Sequence, residues 1–157
     1  IAVMLVLPAL VFRLLSVRSG SPGYSAMAYG FNAVFYVFIL ASLMQYVFRL
    51  DLMSRDKLYG AVAAYILIAI FWAQLYGLIQ YFYPGAYTSA GQVKDMAITD
   101  LIYFSFTALS TAGFGDIAPA LIQSRYLTVL EMVAGVMFVA ILIARLTGVY
   151  PIVDKRS

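Results

Sequence analysis

An all-α, polytopic membrane architecture follows from three features of the sequence. Hydrophobic residues make up 64% of the 157 residues and charged residues only 11%, against roughly 45–50% and about 25% in a soluble domain. Uncharged runs long enough to cross a bilayer recur along the chain. Between two of them lies an apolar stretch too short to cross, followed by a glycine-rich turn. With a mean hydropathy of +0.94, the chain has too little polar surface to clothe a core in water, so lipid solvates much of it. The absence of His and Cys excludes imidazole acid–base chemistry, His or Cys metal sites, thiol nucleophiles and disulfides, and no cofactor is expected. Net charge of +3 is scattered, without a basic run interleaved with aromatics, so nucleic acid is not an expected partner. An enzyme is not expected either, since no span carries paired carboxylates for acid–base work.

The chain begins at Ile1 inside the apolar run IAVMLVLPALVF, and the reading expects more chain upstream. Ile1 to Phe12 is short, the tail of a span or an interfacial helix, with Arg13 and Arg18 marking its end and SVRSGSPG forming a loop. Tyr24 to Phe48 is 25 residues without a charge and Leu58 to Tyr83 is 26; at 1.5 Å per residue each spans with some tilt. Pro84 opens a polar turn, PGAYTSAGQVKDMAIT. DLIYFSFTALS then reads as a helix of about three turns with Thr99 or Asp100 as N-cap. Eleven residues cannot cross a bilayer, so this helix and the following TAGFGDIAP read as a re-entrant loop: inward as helix, outward as extended backbone. The last span runs from about Tyr126 to Val149 and carries Glu131 and Arg145 inside it. The organisation is therefore 1–57, amino-terminal spans; 58–150, the re-entrant module; and 151–157, a tail.

Lys and Arg set the orientation. Arg49, Arg55 and Lys57 lie in one loop and three more basic residues follow from Arg145 onward, whereas the re-entrant region and its flanks hold only Lys94 and Arg125. The first loop and the tail are expected on the cytoplasmic side, and the re-entrant loop on the outer side. No span repeats Arg or Lys at every third position, so no voltage sensor of that kind is expected.

Thr111-Ala112-Gly113-Phe114-Gly115-Asp116 is the most specific segment in the chain. Irregular backbone at membrane depth is tolerated only where it lines a water or ion path. Glycines alternating with other residues allow conformations that let successive carbonyls point one way, and a column of such oxygens can replace the hydration shell of a cation. Thr111 could add its hydroxyl at the inner mouth and Asp116 its charge at the outer mouth. The preceding helix aims its partly negative C-terminal end at the membrane centre, which favours a cation there.

The segment resembles the filter of the potassium-channel pore family, usually Thr-Val-Gly-Tyr-Gly-Asp. The following SRYLTVLEMVAGVMFVAILIARLTG resembles the inner helix of bacterial channels, with Gly135 where the family commonly has its gating hinge. The resemblance covers Leu58 to Tyr150 and implies an outer helix, a re-entrant pore helix with filter loop and an inner helix, preceded by additional transmembrane helices. It implies a potassium-selective channel in a bacterial cell membrane, with K+ held at Thr111, Ala112, Gly113 and Phe114, Gly115 completing the filter and Asp116 at its mouth. Phe114 stands where the family usually has Tyr and lacks its hydroxyl; Ala112 stands for Val or Ile and packs less behind the filter. Both changes imply a less braced filter, and a nonselective or sodium-permeable cation channel of the same architecture is the alternative. One strand offers a cation one oxygen per level, and the chain holds a single copy of the motif, so a homotetramer in the lipid bilayer is expected.

Met132, Val136, Val139 and Ile143 form the expected pore-facing stripe of the inner helix. Glu131 turns about 100° away from it, toward the back of the filter, with a hydrogen bond to Thr107 or Ser105 as its expected contact and the protonated acid as one form. An ionisable group at this depth is a functional candidate by default; a paired structural carboxylate is the alternative. Tyr103 and Phe104 fall where the family places aromatics around the filter. Gly135 reads as a hinge or as a close helix crossing, and Trp72 with YFYPGAY reads as a set of interface anchors.

Overall fold

The computed structural model describes residues 2–20, 22–47 and 55–149. Among the described residues five helices appear in order: α1 Ala2–Ser19, α2 Pro22–Val47, α3 Arg55–Phe82, α4 Ile98–Leu109 and α5 Ile122–Val149, with three short strands, β1 Tyr87–Ser89, β2 Gln92–Val93 and β3 Ile117–Pro119, around α4. Within α2, α3 and α5, the stretches Gly23–Val47, Arg55–Phe82 and Ile122–Thr147 are long and apolar enough to cross a membrane; α4, with 12 residues, is not. The architecture is thus that of an all-helical polytopic membrane protein. The loop around Arg49 and the tail 151–157 lie outside the described residues.

The first helix corrects the reading of its end. Arg13 and Arg18 do not stop it, because arginine is a good helix former; α1 continues to Ser19. Gly20 ends it, taking a left-handed φ of +64° and donating its N–H to the Ser16 carbonyl at 3.0 Å, the usual glycine termination. Most of the expected loop SVRSGSPG is therefore helical, since α2 already begins at Pro22. Phe12 stacks on Phe31 with ring centroids 5.5 Å apart, and the Ser16 and Ser25 hydroxyls share a hydrogen bond of 2.5 Å, which fixes α1 against α2.

The polar stretch after α3 is not a plain turn. β1 pairs antiparallel with β2 on one side and with β3 on the other, in register Ser89↔Gln92 and Ser89↔Ile117. β3 begins one residue after Asp116, so the hairpin is stitched directly to the exit of the glycine-rich loop. The Ala90 N–H donates to the Asp116 carbonyl at 2.9 Å, and the Ala120 N–H and Ser124 hydroxyl both donate to the Ala86 carbonyl, at 2.8 and 2.7 Å. Ala90 and Gly91 form the two-residue hairpin loop with φ of +50° and +79°, the signs a type I′ turn requires. Alanine is disfavoured there, so Ala90→Gly is expected to stabilise the protein by about 0.5–1 kcal/mol; an unchanged or lower melting temperature would count against the turn geometry.

Two apolar clusters hold the module together. The larger joins Tyr76 of α3, Tyr87 of β1, Leu101 and Phe104 of α4 and Ile117 of β3; Tyr87 to Phe104 is 5.7 Å between centroids and Tyr76 to Phe104 is 5.1 Å. Tyr87, read in the sequence as part of an interface belt, is wholly buried in this cluster, and Trp72 packs against it half-buried. The smaller cluster joins Val47 of α2, Ala61 and Ala64 of α3 and Phe138 of α5.

Candidate functional site

The N-cap of α4 lies two residues before Thr99 and three before Asp100, the expected caps. Ala97 is the N-cap, and neither Thr99 nor Asp100 fills that place; Asp100, three residues in, accepts the Ala97 N–H at 3.3 Å, where a carboxylate also meets the positive end of the helix. Just upstream the Gln80 side chain clamps the Met96 backbone from both sides, accepting its N–H at 2.7 Å and donating to its carbonyl at 3.1 Å. A bidentate amide clamp of this kind fixes where α4 begins. Its apolar face then buries Leu101, Phe104, Ala108 and Leu109.

At the other end of α4 the backbone turns sharply. Thr111 donates its N–H to the Ala108 carbonyl at 2.9 Å, and Gly113 donates to Thr107 at 3.2 Å. Left-handed φ recurs at every second residue: +57° at Thr111, +52° at Gly113 and +80° at Gly115, with Ala112 and Phe114 between them outside that region. Alternation of this kind groups peptide N–H groups on one side of a chain and carbonyls on the other. Among the described residues no backbone N–H donates to a carbonyl of residues 111–115. Residues 110–116 are all exposed in the single chain, Phe114 to 72%. A segment between buried elements that exposes an aromatic ring and a row of unpartnered carbonyls is built to meet something else.

The inner helix presents two faces. Val136, Val139 and Ile143 are exposed on one and line a recess of about 370 Å3 with Ser110 and Gly135, while Met132 lines a second recess of about 470 Å3 with Phe104, Thr107, Gly113 and Gly115, behind the loop. The expected stripe is therefore divided between two hollows on either side of the loop's base. On the adjoining face, about 100° round the helix, Glu131 and Phe138 are buried, with the buried Gly135 at the edge of the first recess. A Cβ built on Gly135 would stand 2.2 Å from the Leu109 carbonyl oxygen, so glycine is what allows α5 to lie against the end of α4.

Glu131 is fully buried and hydrogen-bonded on two sides, to the Tyr76 hydroxyl on α3 and to the Ser105 hydroxyl on α4. Of its two expected contacts, Ser105 is found. The Thr107 hydroxyl instead donates to the Phe104 carbonyl at 2.8 Å within its own helix, and Thr107 supports the loop through its backbone carbonyl, the acceptor for Gly113. Tyr103 is exposed, and its phenol interacts electrostatically with the Asp116 carboxylate at the outer end of the loop. Phe104 reaches both the core cluster and the recess behind the loop.

Tyr76, the Gln80 clamp and the hairpin were not foreseen. A polar residue inside an uncharged span is a signal of a buried partner, and Tyr76 and Gln80 both carry it. Burial pushes the Tyr87 phenol above its ordinary value, so it stays neutral in the cluster, where its hydroxyl meets no partner among the described residues.

Two spanning helices bracketing a short apolar helix, with a glycine-rich loop returning from it, define a membrane protein of the helix, re-entrant loop, helix class. A family model described as ion channel matches residues 62–150, more than half of the sequence. The chain belongs to that ion-channel family. No curated protein and no solved structure gives a match.

Proposed function

We propose that four copies of the chain form a potassium-selective channel, in which the carbonyls of Thr111, Ala112, Gly113 and Phe114, with the Thr111 hydroxyl, replace the water around a K+ ion. The observation that carries this reading is the loop itself: left-handed φ at alternate positions and a row of carbonyls with no backbone donor. Oxygens left so at membrane depth need a cation or water as partner. The 72% exposure of Phe114 supports the tetramer, because a ring this open in one subunit is covered by packing neighbours around an axis.

In this assembly the loop enters from the outer side, Asp116 stands at the outer mouth, and Tyr103, Phe104, Thr107 and Glu131 brace the filter from behind. Val136, Val139 and Ile143 face the cavity below it, with Met132 nearer the filter, and Gly135 sits where the inner helix lies against the end of α4. The recess behind Gly113 and Gly115 favours a second reading, a cation pore that also passes sodium, since the loop has open space at its back there. Tracer uptake into liposomes loaded with KCl separates the two. Accumulation of rubidium without sodium is the expected result, equal accumulation of both supports the second reading, and accumulation of neither from protein with an open gate contradicts both.

A further inference from the structure

Proton counting around Glu131 gives more than a brace. The Ser105 hydroxyl lies 2.7 Å from the Ala69 carbonyl of α3 and also contacts Glu131 Oε1. A carbonyl oxygen only accepts, and a serine hydroxyl has one proton to give. With that proton on Ala69, the hydrogen between Ser105 and Glu131 comes from the carboxyl. The other oxygen, Oε2, accepts from Tyr76.

We infer that Glu131 is held as the neutral carboxylic acid, the middle member of a one-way hydrogen-bond chain that runs from the Tyr76 hydroxyl through Glu131 and Ser105 to the Ala69 carbonyl. Every donor in this chain has one acceptor. An ionised Glu131 would leave Ser105 between two acceptors with one proton.

The surroundings agree. The groups facing the carboxyl are Tyr65 and Tyr76 from α3, Tyr87 from β1, Ser105 from α4 and, beside Tyr76, Thr128 of α5. No Lys or Arg among the described residues meets it. An unpaired charge inside a membrane span is costly, whereas a neutral acid with its hydrogen bonds made is not. The chain ties α3, α4 and α5 together at Ser105, two residues before the Thr107 carbonyl that holds Gly113. Its role in bracing the filter rests on the channel reading above; the protonation state does not.

Glu131 is the only glutamate in the chain, so labelling glutamate with 13C at the side-chain carboxyl places one reporter at this site. Solid-state NMR of this 157-residue chain in lipid at neutral pH is expected to show the chemical shift of a neutral carboxylic acid, lost in Glu131→Gln. The shift of an ionised carboxylate would overturn the inference. As a second arm, the Gln side chain keeps one donor for Ser105 and one acceptor for Tyr76, so Glu131→Gln is expected to retain tracer uptake within twofold of wild type and Glu131→Leu to lose it at least tenfold. Equal losses in both variants would also overturn the inference. A neutral-acid signal in a protein that passes sodium as readily as potassium would refute the selectivity of the pore and leave the chain standing.

Discussion

Gly135→Ala is expected to destabilise the folded subunit by about 3 kcal/mol, at the upper end for overpacking a close contact. The added methyl would stand 2.2 Å from the Leu109 carbonyl oxygen, 3.0 Å from its carbon and 2.9 Å from Leu109 Cδ1. Two of these are backbone atoms, so no rotamer change relieves the clash and α5 has to move away from α4. Leu109 is the last residue of α4, and the movement would be passed through Ser110 to Thr111. Thermal unfolding together with tracer uptake distinguishes this from a pure hinge. A hinge predicts altered opening at unchanged stability, whereas the close approach predicts a lower melting temperature and loss of uptake together. Unchanged stability in Gly135→Ala would refute the packing role.

Gly113→Ala is expected to abolish potassium uptake while the subunit still folds. Nothing lies within 4 Å of a Cβ built on Gly113, so the substitution meets no steric block in the single chain. Its cost is conformational: φ is +52°, a region that costs a side-chain-bearing residue about 1–2 kcal/mol, repeated in every copy of the proposed tetramer. The chain relieves it by turning the 113 peptide, which breaks the 3.2 Å hydrogen bond to Thr107 and withdraws a carbonyl from the column. Phe114→Tyr, which has no left-handed φ to lose, is the matched control. Wild-type uptake by Gly113→Ala would show that the loop conformation is not what conducts.

The parts of the fold that a bilayer dictates were legible in the sequence. Uncharged runs at Tyr24–Phe48 and Leu58–Tyr83 gave helices with ends displaced by no more than three residues, because in lipid a span has no other way to satisfy its backbone. The short helix before the glycine-rich segment followed from the same argument. What escaped the sequence is local and tertiary. The hairpin at Tyr87–Val93 turns on Ala90 in a left-handed conformation, which alanine does not advertise as Asn or Gly would. The end of α1 was misplaced because arginine was read as a boundary although it is a sound helix residue; the glycine that ends it lay two residues beyond Arg18.

Within the site, helical periodicity placed Glu131 on the face away from Val136, Val139 and Ile143, and the structure has it so. Its partners were half legible. Ser105 lies one turn before Leu109 on the buried face of α4, whereas Tyr76 is 55 residues from Glu131 in sequence, and only tertiary packing brings them together. Thr107 illustrates the reverse error: a hydroxyl with an acceptor three residues back in its own helix satisfies itself there and needs no distant partner.

The central claim is that the exposed carbonyls of Thr111 to Phe114 select potassium. The direct test is the reversal potential of the purified protein in a planar bilayer with KCl on one side and NaCl on the other. Each tenfold preference moves that potential by about 59 mV for a monovalent ion, and the account predicts a displacement from zero of more than this, in the sense of potassium over sodium. A reversal potential at zero with current flowing would contradict it.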